Sequence, residues 1–180
     1  QHVNPAAGGT HRAHHLSEGC GVALHRRLER KPRAPGHHAD AVVRDGASWF
    51  AKADAVTAAP TDSNALPTDM QVIGAVQRAS RDNTVVMCAA GTMPGELHQL
   101  WKSKLPLSYH MEYGFSCMGY EIAGGLGIKM AEPDRDVIVM VGDGSYMMMN
   151  SELATAVGMG VKITLVITDN RGYGCINRLQ

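Results

Sequence analysis

The sequence predicts an α/β fold: a doubly wound parallel sheet, truncated at its C-terminus and preceded by a disordered N-terminal arm. Three observations lead there. Apolar runs at 84–90 (TVVMCAA), 136–141 (DVIVMV) and 162–168 (KITLVIT) have the length of strands rather than of buried helices. They are apolar at successive rather than alternate positions, as strands covered on both faces are. Segments of helical pattern separate the runs, and a run–helix–run order implies parallel neighbours.

The elements follow in order. Seven of the nine histidines precede Ala39, together with Arg12, Arg26, Arg27, Arg30, Lys31 and Arg33 but only two acids, Glu18 and Glu29. Sparse large aliphatics and the prolines of RKPRAPG (30–36) predict a low-order basic arm over 1–40. Metal binding by His14-His15 and His37-His38 is the alternative, and a mistranslated frame would look similar. Residues 41–59 predict a weak helix whose only bulky anchors are Trp49 and Phe50, and 60–67 (PTDSNALP) a turn-rich linker. Thr68 is placed to cap a helix with Asp69 in its first turn and Val72, Ile73 and Val76 on one face, ending near Ser80. After the strand at 84–90 come a loop (91–95), a helix beginning at 96–102, a polar aromatic loop at 109–114 and a glycine-rich helix over 118–130. A helix over 147–158 joins the last two strands, and 68–180 is expected to form the α/β domain.

Composition narrows the partners. The 180 residues carry 17 Lys+Arg against 17 Asp+Glu, so nothing electrostatic suggests nucleic acid or an anionic membrane. There is no apolar run of spanning length and no secretory leader pattern, and the four widely spaced cysteines suggest neither a disulfide framework nor a zinc site. A cytoplasmic protein is expected.

The chemistry is expected beyond the carboxyl ends of the strands, where open parallel sheets bind ligands. The second run leads into Gly142-Asp143-Gly144-Ser145, the third into Asp169-Asn170-Arg171-Gly172, and the first into Gly91-Thr92. Asp143 offers a carboxylate, Asn170 an amide oxygen, and the Arg171–Gly172 turn a main-chain carbonyl. Such an all-oxygen set suits Mg²⁺, completed by phosphate and water. Gly142 and Gly144 let backbone N–H groups approach phosphate, Ser145 adds a hydroxyl donor, and a helix starting near Met147 would aim its N-terminus at the anion. An Asp-Gly turn alone says little. The combination of GDGS, then ELATA (152–156), then an apolar strand ending in DNRGYG says more.

That combination resembles the diphosphate-binding domain of thiamine-diphosphate (ThDP) enzymes, whose signature is GDG, a helix and strand, then Asn. The resemblance implies ThDP and Mg²⁺ as cofactors, with Asp143, Asn170 and the Gly172 carbonyl on the metal and Gly91, Thr92, Met118, Gly142, Gly144 and Ser145 around the cofactor. Asp169 stands where the family usually has a first Asn, which leaves the ligand Asn170 in place. Met118 matches the bulky residue that wedges under the cofactor and bends it. Met147, Met148 and Met149 cannot share one helix face and are expected in core or interface packing.

The longer strings NALPTDMQVIGAV (64–76), PGELHQLW (94–101), YHMEYGFSCMGYEIAGGLG (109–127) and GCINRLQ (174–180) are similar to a narrower branch, the ring-opening hydrolases of cyclic 1,2-diones in bacterial myo-inositol catabolism. That likeness implies hydrolysis of a carbon–carbon bond to give 5-deoxy-glucuronate, with His110, Glu112 and Tyr113 as candidates to face the substrate. An acetolactate synthase-like carboligase or decarboxylase, or a non-catalytic α/β binding fragment, are the alternatives. Nothing in 1–63 resembles the separate domain that supplies the activating glutamate from a partner subunit. The chain is therefore expected to be an inactive fragment of a homodimeric or homotetrameric parent.

Overall fold

A computed structural model describes residues 37–62, 64–112 and 114–179. The arm expected over 1–40 falls, up to residue 36, outside the described residues, as does Tyr113. Residues 47–180 form a compact unit of their own.

Helix α1 spans His37–Val56. Within the compact unit its buried contact is Ala53, 4% exposed, whereas the expected anchors Trp49 and Phe50 stay half exposed. Their polar and cationic contacts explain this: the Trp49 ring nitrogen donates to the Gln99 carbonyl, and the Lys102 ammonium lies 5.4 Å from the Phe50 ring centre. Helix α2 (Asp69–Ala79) begins as expected. Thr68 accepts from the Gln71 amide, and the Gln71 side chain accepts from the Thr68 amide, a reciprocal cap on two otherwise unbonded donors.

Strand β1 (Val85–Cys88) is buried at all four positions. Helix α3 runs over Thr92–Leu100, starting four residues before the expected point, because Pro94 falls in the first turn, where its missing N–H costs nothing. Residues Tyr109–Met111, expected to be loop, form strand β2, paired in parallel with β1. Three residues are too few to show a periodicity, and pairing with β1 alone makes them a strand. Helix α4 (Tyr120–Ala131) and strand β3 (Val137–Gly142) match expectation closely. The single helix expected over 147–158 is two: α5 (Asp143–Met148) and α6 (Glu152–Gly158), broken around Met149. The N-terminus expected near Met147 therefore lies at Asp143, on a one-and-a-half-turn helix. Strand β4 (Thr164–Thr168) and helix α7 (Gly174–Leu179) complete the chain.

The sheet is all parallel, in the order β2-β1-β3-β4. Alternate residues of each strand serve the two faces. Val86, Cys88 and Met140 pack with Ile73 of α2 and Met93, Leu97 and Leu100 of α3. Met87, Val137, Val139 and Val141 pack on the other face with Ile128 of α4 and Tyr146 of α5. Helices thus cover both faces, the doubly wound arrangement the apolar runs predicted. From β1 the chain moves outward to β2, then crosses back to β3 and on to β4. The loops after β1 and β3 therefore diverge and open a crevice at that reversal.

Candidate functional site

The crevice holds a cavity of about 290 Å³. Of the residues expected around a cofactor, Gly91, Met118, Gly142, Gly144 and Ser145 line it, together with Asn170 and Gly172. Thr92 is the first residue of α3, directly after Gly91. Met93, Tyr173 and Ile176 also line the cavity and were not anticipated. Tyr173 sits in the DNRGYG string ahead of α7, whereas Met93 and Ile176 are carried there by α3 and α7.

The ends of β3 and β4 lie side by side because Gly142 pairs with Thr168. That register sets Asp143 against the turn at 169–172. The Asp143 carboxylate accepts from the Gly172 amide at 2.7 Å and more weakly from the Asn170 amide at 3.4 Å. Arg171 has φ of 61° and Gly172 φ of 133°, a reversal that glycine at the second position adopts without Cβ strain. It turns the Gly172 carbonyl back toward the Asn170 side chain. One terminal atom of the Asn170 amide lies 3.2 Å from Asp143 Oδ1 and 2.9 Å from the Gly172 carbonyl oxygen. With nitrogen there, the amide donates to both. With oxygen there, three acceptors face one another, an arrangement that a cation satisfies. Adjacent ligands of octahedral Mg²⁺ lie about 3 Å apart, given metal–oxygen bonds of about 2.1 Å. With oxygen at that position, the separations of 3.2 and 2.9 Å match adjacent ligands of that ion.

Other parts depart from expectation. Ser145 is 3% exposed, and its hydroxyl donates to Glu121 Oε1 at 2.7 Å, so its proton points away from any phosphate in the cavity. A Cβ on Gly144 would meet the Tyr173 ring at 2.8 Å, so close ring packing, as well as phosphate approach, calls for glycine there. Around Gly142 nothing lies within 4 Å of such a Cβ, and there the backbone is open to a ligand. Met147, Met148 and Met149 are 70%, 49% and 47% exposed and not in a core among the described residues.

Of the substrate candidates, His110 and Glu112 are not brought into the cavity, and Tyr113 lies outside the described residues. His110 stacks on Tyr120, with its Nε2 3.4 Å from the phenol oxygen. Both Glu112 oxygens are taken by backbone, accepting from the Phe115 amide at 2.9 Å and the Cys117 amide at 2.7 Å. These bonds hold its carboxyl below the usual carboxylate range, the Cys117 amide contributing most. Cys88, buried in β1, has its thiol pushed up to about 12, chiefly by burial.

Sequence reasoning missed Glu121. It is the only acid in α4 and shares the inward face of Gly124, Gly125 and Ile128 at helical spacing, which was the available signal.

A parallel sheet with a cavity at its reversal, lined by a glycine-rich turn after β3 and a facing asparagine, defines an α/β domain of the kind that binds ligands beyond its strand ends. Residues 89–180 match the family described as thiamine pyrophosphate enzyme, C-terminal TPP binding domain, and with just over half of its residues matched the chain belongs to that family. Curated relatives named 3D-(3,5/4)-trihydroxycyclohexane-1,2-dione hydrolase include one from Geobacillus thermodenitrificans, 52% identical over 63% of this chain. One from Halalkalibacterium halodurans is 43% identical over 83% of it, and one from Bacillus subtilis 54% identical over 55%. The matched stretch is 18%, 22% and 16% of those relatives, so the chain spans about a fifth of their length. Among the described residues no helix is long and apolar enough to cross a membrane.

Proposed function

We propose that the chain is the ThDP- and Mg²⁺-binding portion of a hydrolase that opens 3D-(3,5/4)-trihydroxycyclohexane-1,2-dione in myo-inositol catabolism. The observation that carries the cofactor half is the convergence of the Asn170 amide terminus on Asp143 Oδ1 at 3.2 Å and the Gly172 carbonyl oxygen at 2.9 Å. The substrate half is supported by the shared name of relatives at 43–54% identity, and this favours it over a carboligase or a non-catalytic binding fragment.

Asp143, Asn170 and the Gly172 carbonyl would hold the metal, and the open backbone of Gly142 would face the diphosphate. Gly91, which caps α3 after β1, lines the opposite wall, and Thr92 is the next proposed cofactor contact. Met118 lines the cavity where a cofactor ring would lie and excludes water from it. When bound, the thiazolium of ThDP supplies the carbon nucleophile and electron sink that carbon–carbon cleavage requires. His110, exposed on its stack with Tyr120, is the residue proposed to meet the substrate, while Glu112 shapes the loop that carries Met118. Tyr113, the next residue in the sequence after Glu112, keeps its place as a substrate-facing candidate. The whole protein is a cytoplasmic homodimer or homotetramer in this reading, with the activating carboxylate outside residues 37–179.

The test is Mg²⁺-dependent ThDP binding to the chain by titration calorimetry. Asp143→Ala, still folded by circular dichroism, should weaken binding at least about tenfold, the loss of one charged ligand contact. Unchanged affinity in that variant sinks the metal assignment. Turnover of pyruvate but not of the cyclic dione by the whole protein sinks the substrate assignment.

A further inference from the structure

We infer that Glu121 is a positioning residue: with Ser145 and the Gly119 amide it locks the turn carrying Met118 to the turn carrying Asp143. It thereby sets the span between the ring-binding and diphosphate-binding parts of the cavity. The inference rests on the ThDP reading above and adds to it a residue outside the metal and cofactor contacts.

Three groups close on one another. The Gly119 amide lies 2.9 Å from Glu121 Oε2 and 2.8 Å from Ser145 Oγ, and the Ser145 hydroxyl donates to Glu121 Oε1 at 2.7 Å. Each is buried, Glu121 at 1% and Ser145 at 3% exposure. The ring is complete without water. It joins segments 26 residues apart, the start of α4 and the turn after β3. Both segments reach the cavity, through Met118 on one side and through Gly142, Gly144 and Ser145 on the other.

A second contact holds the same turn from another direction. Gly119 has φ of 90°, and a Cβ there would lie 2.7 Å from Met149 Cγ. The Met118–Gly119 turn is therefore clamped between Ser145 at the start of the 143–149 segment and Met149 at its end. A buried carboxyl group without a cationic partner is costly to keep, and Glu121 makes no ion pair among the described residues. Packing alone would be served by an apolar side chain of similar volume. What the carboxyl group adds is two directed acceptors that fix one turn against the other.

The test separates span from general stability by using two ligands. With Mg²⁺ present, wild-type chain and the variants Glu121→Ala, Ser145→Ala and Glu121→Gln are titrated calorimetrically with ThDP. Inorganic pyrophosphate, which has the diphosphate without the rings, is titrated in parallel. The two alanine variants should bind ThDP about tenfold more weakly, the equivalent of one net hydrogen bond. The pyrophosphate affinity of Glu121→Ala should stay within about threefold of wild type, since Asp143, Asn170, Gly172 and the cavity-lining Ser145 are untouched. Glu121→Gln should recover ThDP affinity, because its amide oxygen accepts from Gly119 while its nitrogen donates to Ser145. If Glu121→Ala fails to fold, Glu121→Leu carries the same comparison, as it keeps a similar volume and lacks both acceptors. Equal weakening toward both ligands, or unchanged ThDP affinity, overturns the inference while leaving the ThDP reading intact. A wild-type chain that binds neither ligand overturns that reading and this inference with it.

Discussion

Replacing Gly125 by alanine should destabilise the protein, although it adds a better helix former to the middle of α4. An ideal Cβ at Gly125 would lie 2.2 Å from Val139 Cγ2, which belongs to a fully buried side chain at the centre of β3. Carbon atoms rest about 3.8 Å apart, so α4 and β3 must separate by roughly 1.5 Å or Val139 must leave its rotamer. Overpacking of that severity costs about 3 kcal/mol, and the helix propensity of alanine offsets about 1 kcal/mol of it. The net loss is therefore about 2 kcal/mol, or a fall in Tm of roughly 5–10 °C. Gly127, on the same helix, has nothing within 4 Å of such a Cβ. Gly127→Ala should consequently stabilise by about 0.8 kcal/mol. Denaturant titration of both variants provides an internal control. Adding Val139→Ala to Gly125→Ala should cost less than the sum of the two single changes, since it removes the clashing methyl. A Gly125→Ala chain as stable as Gly127→Ala would refute the close helix–sheet contact. Because α4 carries Gly119 and Glu121 at its start, the same variant should also weaken ThDP binding.

Other outcomes follow from local contacts. Thr68→Ala, which breaks the reciprocal cap of α2, should cost about 1 kcal/mol in denaturant titration. The Glu112 carboxyl is held below its ordinary value of 4.5 in the folded chain, so its stabilisation of the loop is present above that pH. It should be lost as pH falls through the lowered folded value. Exchange protection of the Phe115 and Cys117 amides should track that loss and be absent at every pH in Glu112→Leu. With its thiol pushed up to about 12 and fully buried, Cys88 should resist iodoacetamide at pH 8 in the native state and react only on unfolding. Mass spectrometry of the labelled peptides distinguishes it from exposed Cys117.

The strands at 85–88, 137–142 and 164–168, the capped helix at 69–79 and the pairing of Asp143 with Asn170 were all determined by the sequence itself. Apolar runs of strand length, a Thr-x-x-Gln cap and glycines beside acceptors are local signals, each legible within a few residues. Tertiary structure alone decided the rest. Residues 109–111 became a strand because β1 offered unpaired backbone on that edge, a partner invisible from the triplet itself. The break around Met149 follows from the close packing of that residue against Gly119, some thirty positions away along the chain. His110, Glu112 and the cavity are near one another in the sequence pattern, yet Glu112 is spent on its own loop and neither residue lines the cavity. Above all, the ring of Gly119, Glu121 and Ser145 joins two motifs that each look complete when read alone. Hydrogen bonds between distant segments depend on where the sheet register sets their ends, and that register exists only once the chain has folded.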